Sequence, residues 1–341
     1  MLFYEIVVEQ LDLAAELLQK QHAIQSRLAL ILIDNAVEYS LHRYATDYFA
    51  LNTISGSLSV PERRGLCRRR AEATGQHFES KVAFARHQGA MTEDQATFVR
   101  NAHEFRNEAY HAGRAHDPII AQLAAAYYLL FCEMLPKLAP RLMHFRLDRT
   151  LSDRVKSHLG GQTRTPMPDA EMIATSLTHA MPQVGGCLSD ACRKSLVGQL
   201  SDIRGTIDYI IRNDTTAGDV ESLILETQFW SALWGAAPSE GLTVRVNDAG
   251  VAEVDPDQKD QWEDALRQMR TTWSPSVSLR TFDRWERRIA ALAGDGKPGA
   301  LLQRYRQLQS EIDPFRRMLS DRCGSLDQHI DEVIERRSLG E

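Results

Sequence analysis

The chain of 341 residues is 43% hydrophobic and 25% charged, with a formal net charge of -6. Such a composition supports a sizeable core and excludes a wholly disordered chain, a collagen-like chain and a generally basic coat for nucleic acid; the length predicts two domains or one large one. No long uncharged apolar run occurs, so no membrane span is predicted. The opening MLFYEIVVEQLDLAAELL carries Glu5, Glu9 and Asp12 before any basic residue and is not expected to act as a signal or transit peptide. The five cysteines are scattered and odd in number, which suits a reducing compartment, and the cytoplasm is the expected location.

Nearly everything before residue 145 reads as helix. A first helix is predicted over 5–20 and a second over 25–50, where Leu30, Ile33, Val37, Leu41, Tyr44 and Tyr48 recur at spacings of three and four. Leu28, Leu32 and Tyr39 add a second apolar face, which implies a helix surrounded by others. NTISGSLSVP (52–61) is a predicted loop, with Ser59 placed to cap a third helix that starts at Pro61 and stops at His87-Gln88-Gly89. That helix carries Arg63, Arg64, Arg68, Arg69 and Arg70, which helical spacing gathers on one side. The knot reads either as a solvated face or as a phosphate-binding patch.

A fourth helix starts at Thr92-Glu93-Asp94, turns Phe98, Ala102, Phe105, Ala109 and Ala112 toward the core, and stops at Gly113. A fifth opens at Asp117-Pro118 and ends near Pro136 or Pro140. Four or five antiparallel helices with short connections make a bundle over 1–150. HLGGQTRTPMPD, with paired glycines and two prolines, places an inter-domain linker at 151–168. The remainder, 169–341, is predicted to be a mostly helical domain, with helices near 169–181, 189–212, 217–234, 257–271, 279–293 and 298–336. A small β-hairpin is expected at about 242–254 around Asn247-Asp248-Ala249-Gly250. The fold class is therefore all-α with one hairpin. The first 150 residues are charge-balanced, so the whole acidic excess lies in the second half. That half also holds all five tryptophans, most of which are expected in its core.

Phosphate-binding, dinucleotide-binding, serine-hydrolase and zinc-protease motifs are absent. Cys187 and Cys192 with His179 lack the second ligand pair of a zinc site, so neither a metal nor a cofactor is predicted. The informative segment is NAHEFRNEAYHAG, 101–113. Measured from the core side of the fourth helix, Arg106 points about 80° away, Tyr110 about 120°, His103 about 140°, Asn107 about 180° and His111 about 220°. A cation, two imidazoles, a phenol and an amide thus share the arc facing away from the seam. Asn107 and His111 are four apart, close enough for the amide to orient the ring. The same residues also admit structural roles: a histidine near a helix C-terminus meets the last carbonyls, and an arginine four before a tyrosine stacks on it.

Arg106-Asn107-Glu108-Ala109-Tyr110-His111 resembles the signature of the HEPN superfamily, in which Arg, usually with a polar residue after it, precedes His with four to six residues between. Here four intervene, and the motif ends the penultimate helix of the bundle, with a small-residue turn and an apolar helix after it. The second helix is similar to its counterpart in that family, which often carries an acidic residue near the motif. Asp34, Glu38 and His42 form a stripe there, and Glu38 is the residue chosen for that role. The resemblance covers about residues 1–145; none is found for 165–341.

In catalytic members the resemblance implies metal-independent RNA cleavage by a homodimer whose two motifs face each other. His111 would then be the acid/base and Arg106 the phosphate ligand, while Asn107 would orient His111 or bind a phosphate oxygen. Glu38 would hold Arg106, with Tyr110 and His103 as possible substrate contacts and the arginines of 63–70 guiding the RNA backbone. The leading expectation is a toxin or phage-defence ribonuclease, restrained by an antitoxin or regulatory partner bound through the C-terminal half. Gly113 stands where certain HEPN toxins carry a tyrosine that a partner nucleotidyltransferase modifies, which sets that silencing route aside. Two other readings remain open, a non-catalytic module binding a nucleotide or partner protein, and a plain helical scaffold.

Overall fold

The computed structural model describes residues 2–54, 71–111, 119–141, 151–158, 169–214, 218–236, 244–246, 252–254, 258–294 and 296–339. Among the described residues the fold is all-α apart from one pair of three-residue strands. The chain forms two compact units, Met1–Ser195 with Gly294–Tyr305, and Leu196–Ala293 with Arg306–Glu341. Among the described residues, no helix is long and apolar enough to cross a membrane.

The first unit is organised around α2 (Ala23–Ile54), which packs against α1 (Leu2–Gln19), α3 (Phe78–His87), α4 (Glu93–His111) and α5 (Ile120–Leu138). Leu30, Ile33, Val37 and Leu41 have no exposed surface, so the three-and-four spacing does mark the buried seam. Burying each such side chain contributes about 1.5–3 kcal/mol before chain entropy is charged against it. The second apolar face is only partly covered: Tyr39 stacks on Phe3, whereas Leu28 stays 46% exposed. The α1–α2 reversal is tight, with Gln21 in the left-handed region at φ 51.

Two expectations for this unit are corrected. The predicted third helix is interrupted in its described part: 71–73 is helical, a turn follows, and α3 begins only at Phe78. Gly75 sits in that turn because a Cβ there would lie 2.8 Å from the Ala71 carbonyl oxygen. The basic knot Arg63, Arg64, Arg68, Arg69 and Arg70 lies outside the described residues, as does most of the loop predicted at 52–61.

The domain boundary also differs. The predicted linker contains α6 (Asp153–His158), and this short helix belongs to the first unit. Arg154 reaches Asp12 at 2.8 Å, Glu16 at 2.9 Å and Glu9 at 3.5 Å, all on one face of α1. The buried His158 bridges Asp12 (3.1 Å) to Ser176 (2.9 Å) on α7 (Ala170–Ala180). The Tyr128 hydroxyl in turn donates to the Leu177 carbonyl, which ties α7 to α5. Glycine and proline content reports local backbone freedom; it is blind to an acidic stripe about 140 residues upstream that docks the segment. Residues 159–168 lie outside the described residues.

The units divide within α8 (Leu188–Asn213) and α12 (Pro298–Leu339). The second unit adds α9 (Val220–Ala236), α10 (Lys259–Thr272), α11 (Leu279–Ala290) and an antiparallel pair, β1 (Val244–Val246) with β2 (Ala252–Val254), in the register Val244↔Val254. Its core holds Ile210, Leu223, Trp285, Ile312 and Phe315. The Trp285 indole nitrogen and Arg288 both donate to Glu311, whose carboxyl is lifted by burial but lowered further by these bonds, for a net fall below its ordinary range. The expectation that most tryptophans are core is corrected: Trp285 alone is buried, while Trp230, Trp234 and Trp262 form a stacked, partly exposed row between α9 and α10.

Candidate functional site

α4 presents its motif against α2. Phe98, Ala102, Phe105 and Ala109 are buried as the wheel requires, which fixes the rotation of α4 and hence where Arg106 and His103 emerge. At the crossing stands Asp34, with no exposed surface. Its Oδ1 accepts the Tyr127 hydroxyl of α5 at 3.1 Å, and its Oδ2 lies 2.9 Å from His103 Nδ1 and 3.5 Å from Arg106 Nε. One buried carboxyl group therefore ties three helices together. Burial first, then the charge and hydrogen bond of Asp34, raise the Tyr127 pKa well above its ordinary value, so the phenol stays a donor.

Arg106 is held on further sides. Its Nη2 donates to Asn35 Oδ1 at 3.1 Å and its Nη1 to Asn107 Oδ1 at 3.0 Å, with 24% of the side chain exposed. A planar guanidinium gripped by two amides and a carboxylate has a set orientation, which a flexible surface arginine lacks. The His103 ring lies flat on Phe78 of α3, centroids 3.7 Å apart and planes 6° from parallel. The arc that the wheel leaves open at His103 is thus partly covered by the neighbouring helix, with 17% of the side chain exposed.

Glu38 is displaced from its expected role. Its Oε1 accepts from Lys81 Nζ of α3 at 2.6 Å, and the carboxylate beside Arg106 is Asp34. Helical geometry explains the difference: Asp34 points about 60° from the mean direction of Leu30, Ile33, Val37, Leu41 and Tyr44, and Glu38 about 100°. Asp34 is drawn into the core at the α4 crossing, while Glu38 turns toward α3. The same arithmetic, applied to the sequence, favours Asp34. Asn107 also differs, since its side-chain oxygen engages Arg106. Tyr110 and His111 lie in the last turn of α4, but their side chains fall outside the described residues. Asn35, Tyr127, Lys81 and Phe78 join the cluster although the motif does not point to them. A lysine within an apolar run, VAFARH preceded by Lys81, is the sequence signal for one of them.

His42, one turn beyond Glu38, has its pKa lowered, mainly by partial burial and then by the Lys81 charge, against the opposing pull of Glu38. Because the folded value lies below the ordinary 6.5, the unfolded chain takes up this proton first as pH falls. The contribution is whole above the unfolded pKa and is lost on acidification through the folded one. Urea unfolding of wild type should therefore weaken between neutral and mildly acidic pH, and His42→Gln should remove part of that slope. An identical slope in the variant would refute the assignment.

Among the described residues, no group of three His, Cys, Asp or Glu side chains is placed to hold a metal ion. No protein-family profile, curated protein or solved structure matches this chain.

Proposed function

We propose that the first unit is a HEPN-like bundle and a metal-independent endoribonuclease, acting as a homodimer in toxin activity or phage defence. The observation that carries this reading is the Arg106 guanidinium, held partly exposed by Asp34, Asn35 and Asn107 on the helix that ends in His111. A fixed guanidinium suits a scissile phosphate, because its donors are oriented before charge gathers on the phosphoryl oxygens. His111 supplies acid/base catalysis, an imidazole being able to exchange a proton near neutral pH. Asp34 takes the anchoring role, and the arginines of 63–70 guide the RNA backbone.

A homodimer is favoured by α2 itself. Ile24 and Leu28, 57% and 46% exposed, stand on the same side of the helix as Asn35. An apolar stripe leading to the Arg106 cluster suits a second copy that brings its own motif to a shared groove. The acidic second unit is the natural surface for an antitoxin or regulator.

Total RNA and a tRNA pool, incubated with EDTA, test the reading. Wild type should cleave, with His111→Ala slower by about 100-fold or more and Arg106→Ala by about 100- to 1,000-fold, at equal folded concentration. Intact RNA with folded, dimeric wild type would refute it in favour of a non-catalytic module that binds a nucleotide or partner protein through the same guanidinium.

A further inference from the structure

We propose that His103 is the general base of this reaction, set in place by Asp34; the inference rests on the ribonuclease reading above. His103 Nδ1 lies 2.9 Å from Asp34 Oδ2. With Nδ1 turned to the Asp34 carboxyl group as donor, Nε2 is the ring atom left to accept a substrate proton. Phe78 stacks on the ring at 3.7 Å, which fixes its plane, and 17% of the side chain remains exposed. The anchor is itself rigid: Asp34 is buried, and its other oxygen is occupied by the Tyr127 hydroxyl. Arg106 lies three residues further along the same helix and shares Asp34 Oδ2. One buried carboxylate therefore orients both a proton acceptor and a phosphate ligand, the arrangement that base-catalysed attack on a phosphodiester requires.

In this step the proton of a ribose 2′-hydroxyl passes to His103 Nε2 as the O2′–P bond forms. The P–O5′ bond breaks, its electron pair leaves on O5′, and O5′ takes a proton from solvent. The products are a 2′,3′-cyclic phosphate and a 5′-hydroxyl end. The His103 ring gives its proton back to solvent, which closes the proton balance.

The decisive variant is His103→Asn, whose side-chain amide nitrogen takes the place of Nδ1 and still donates to Asp34, but which offers no titratable base. Cleavage by this variant should show kcat reduced about 100-fold or more with KM little changed, while thermal unfolding stays near wild type. Nitrogen NMR of wild type supplies a second readout that needs no variant to fold: the neutral His103 ring should carry its proton on Nδ1. A ring protonated on Nε2, or His103→Asn cleaving within about threefold of an active wild type, overturns the role of His103 alone. Inactive wild type overturns the ribonuclease reading and the role of His103 with it.

Discussion

Asp34→Ala should destabilise the first unit by about 3–5 kcal/mol, the range for removing one member of a buried charged cluster. The fully buried Tyr127 hydroxyl and the His103 ring lose this partner at once, and the Arg106 guanidinium loses its carboxyl contact while keeping Asn35 and Asn107. The phenol cannot turn to water, since Tyr127 has no exposed surface, and an unpaired buried hydroxyl alone costs about 1–3 kcal/mol. Asp34→Asn should cost less, because the amide oxygen still accepts from Tyr127. All five tryptophans belong to the second unit, so their fluorescence is a poor reporter of this change. Hydrogen exchange of the α2, α4 and α5 amides is the direct measurement. Unchanged protection in Asp34→Ala would mean that the cluster does not stabilise the helix crossing.

Gly299→Ala is the second substitution with a large expected effect. α12 starts with Pro298 at its first position, and its next two amides are capped by a distant residue: Gly299 N donates to Asp94 Oδ2 at 3.1 Å and Ala300 N to Asp94 Oδ1 at 3.0 Å. The negative side chain also meets the positive end of the helix dipole. For this cap to close, the backbones must nearly touch, and a Cβ on Gly299 would stand 2.1 Å from the Asp94 carbonyl oxygen. Backbone cannot yield as a flexible side chain does, so the helix start must shift and the cap is lost. The overpacking costs about 1–3 kcal/mol, and loss of the cap adds about 1 kcal/mol. Gly296→Ala is the control, since a Cβ at that position would meet nothing within 4 Å and little change is expected. Equal urea midpoints for the two variants would refute the close-approach account.

Several elements are legible in the sequence itself. The seam Leu30, Ile33, Val37, Leu41 runs at helical spacing and is buried, and the buried face of α4 is the one its periodicity indicates. The helices expected near 189–212, 217–234, 257–271 and 298–336 are observed at Leu188–Asn213, Val220–Ala236, Lys259–Thr272 and Pro298–Leu339. These features follow from interactions a few residues long, which repeat with the helix and so leave a period in the sequence. Arg106 and His103 stand out in the same way, as polar residues on the arc of α4 that faces away from its buried apolar seam.

What neighbouring helices do to that arc is not legible in the same degree. The choice between Asp34 and Glu38 turns on about 40° of helix rotation and on which helix crosses at which level. Lys81 meeting Glu38, Phe78 covering His103 and Tyr127 reaching Asp34 are contacts between residues 43 or more positions apart, except for Phe78 and His103, which are 25 apart. Local periodicity carries no record of such pairs. The docking of α6 through Arg154 and His158, and the capping of α12 by Asp94, belong to the same class. By itself the sequence determined the helices, their buried faces and the polar arc of α4, because each depends on spacing along one helix. The tertiary structure alone decided which carboxylate anchors Arg106 and His103 and where the first unit ends, because buried polar groups take whatever partner the packing of separate helices brings within hydrogen-bond reach.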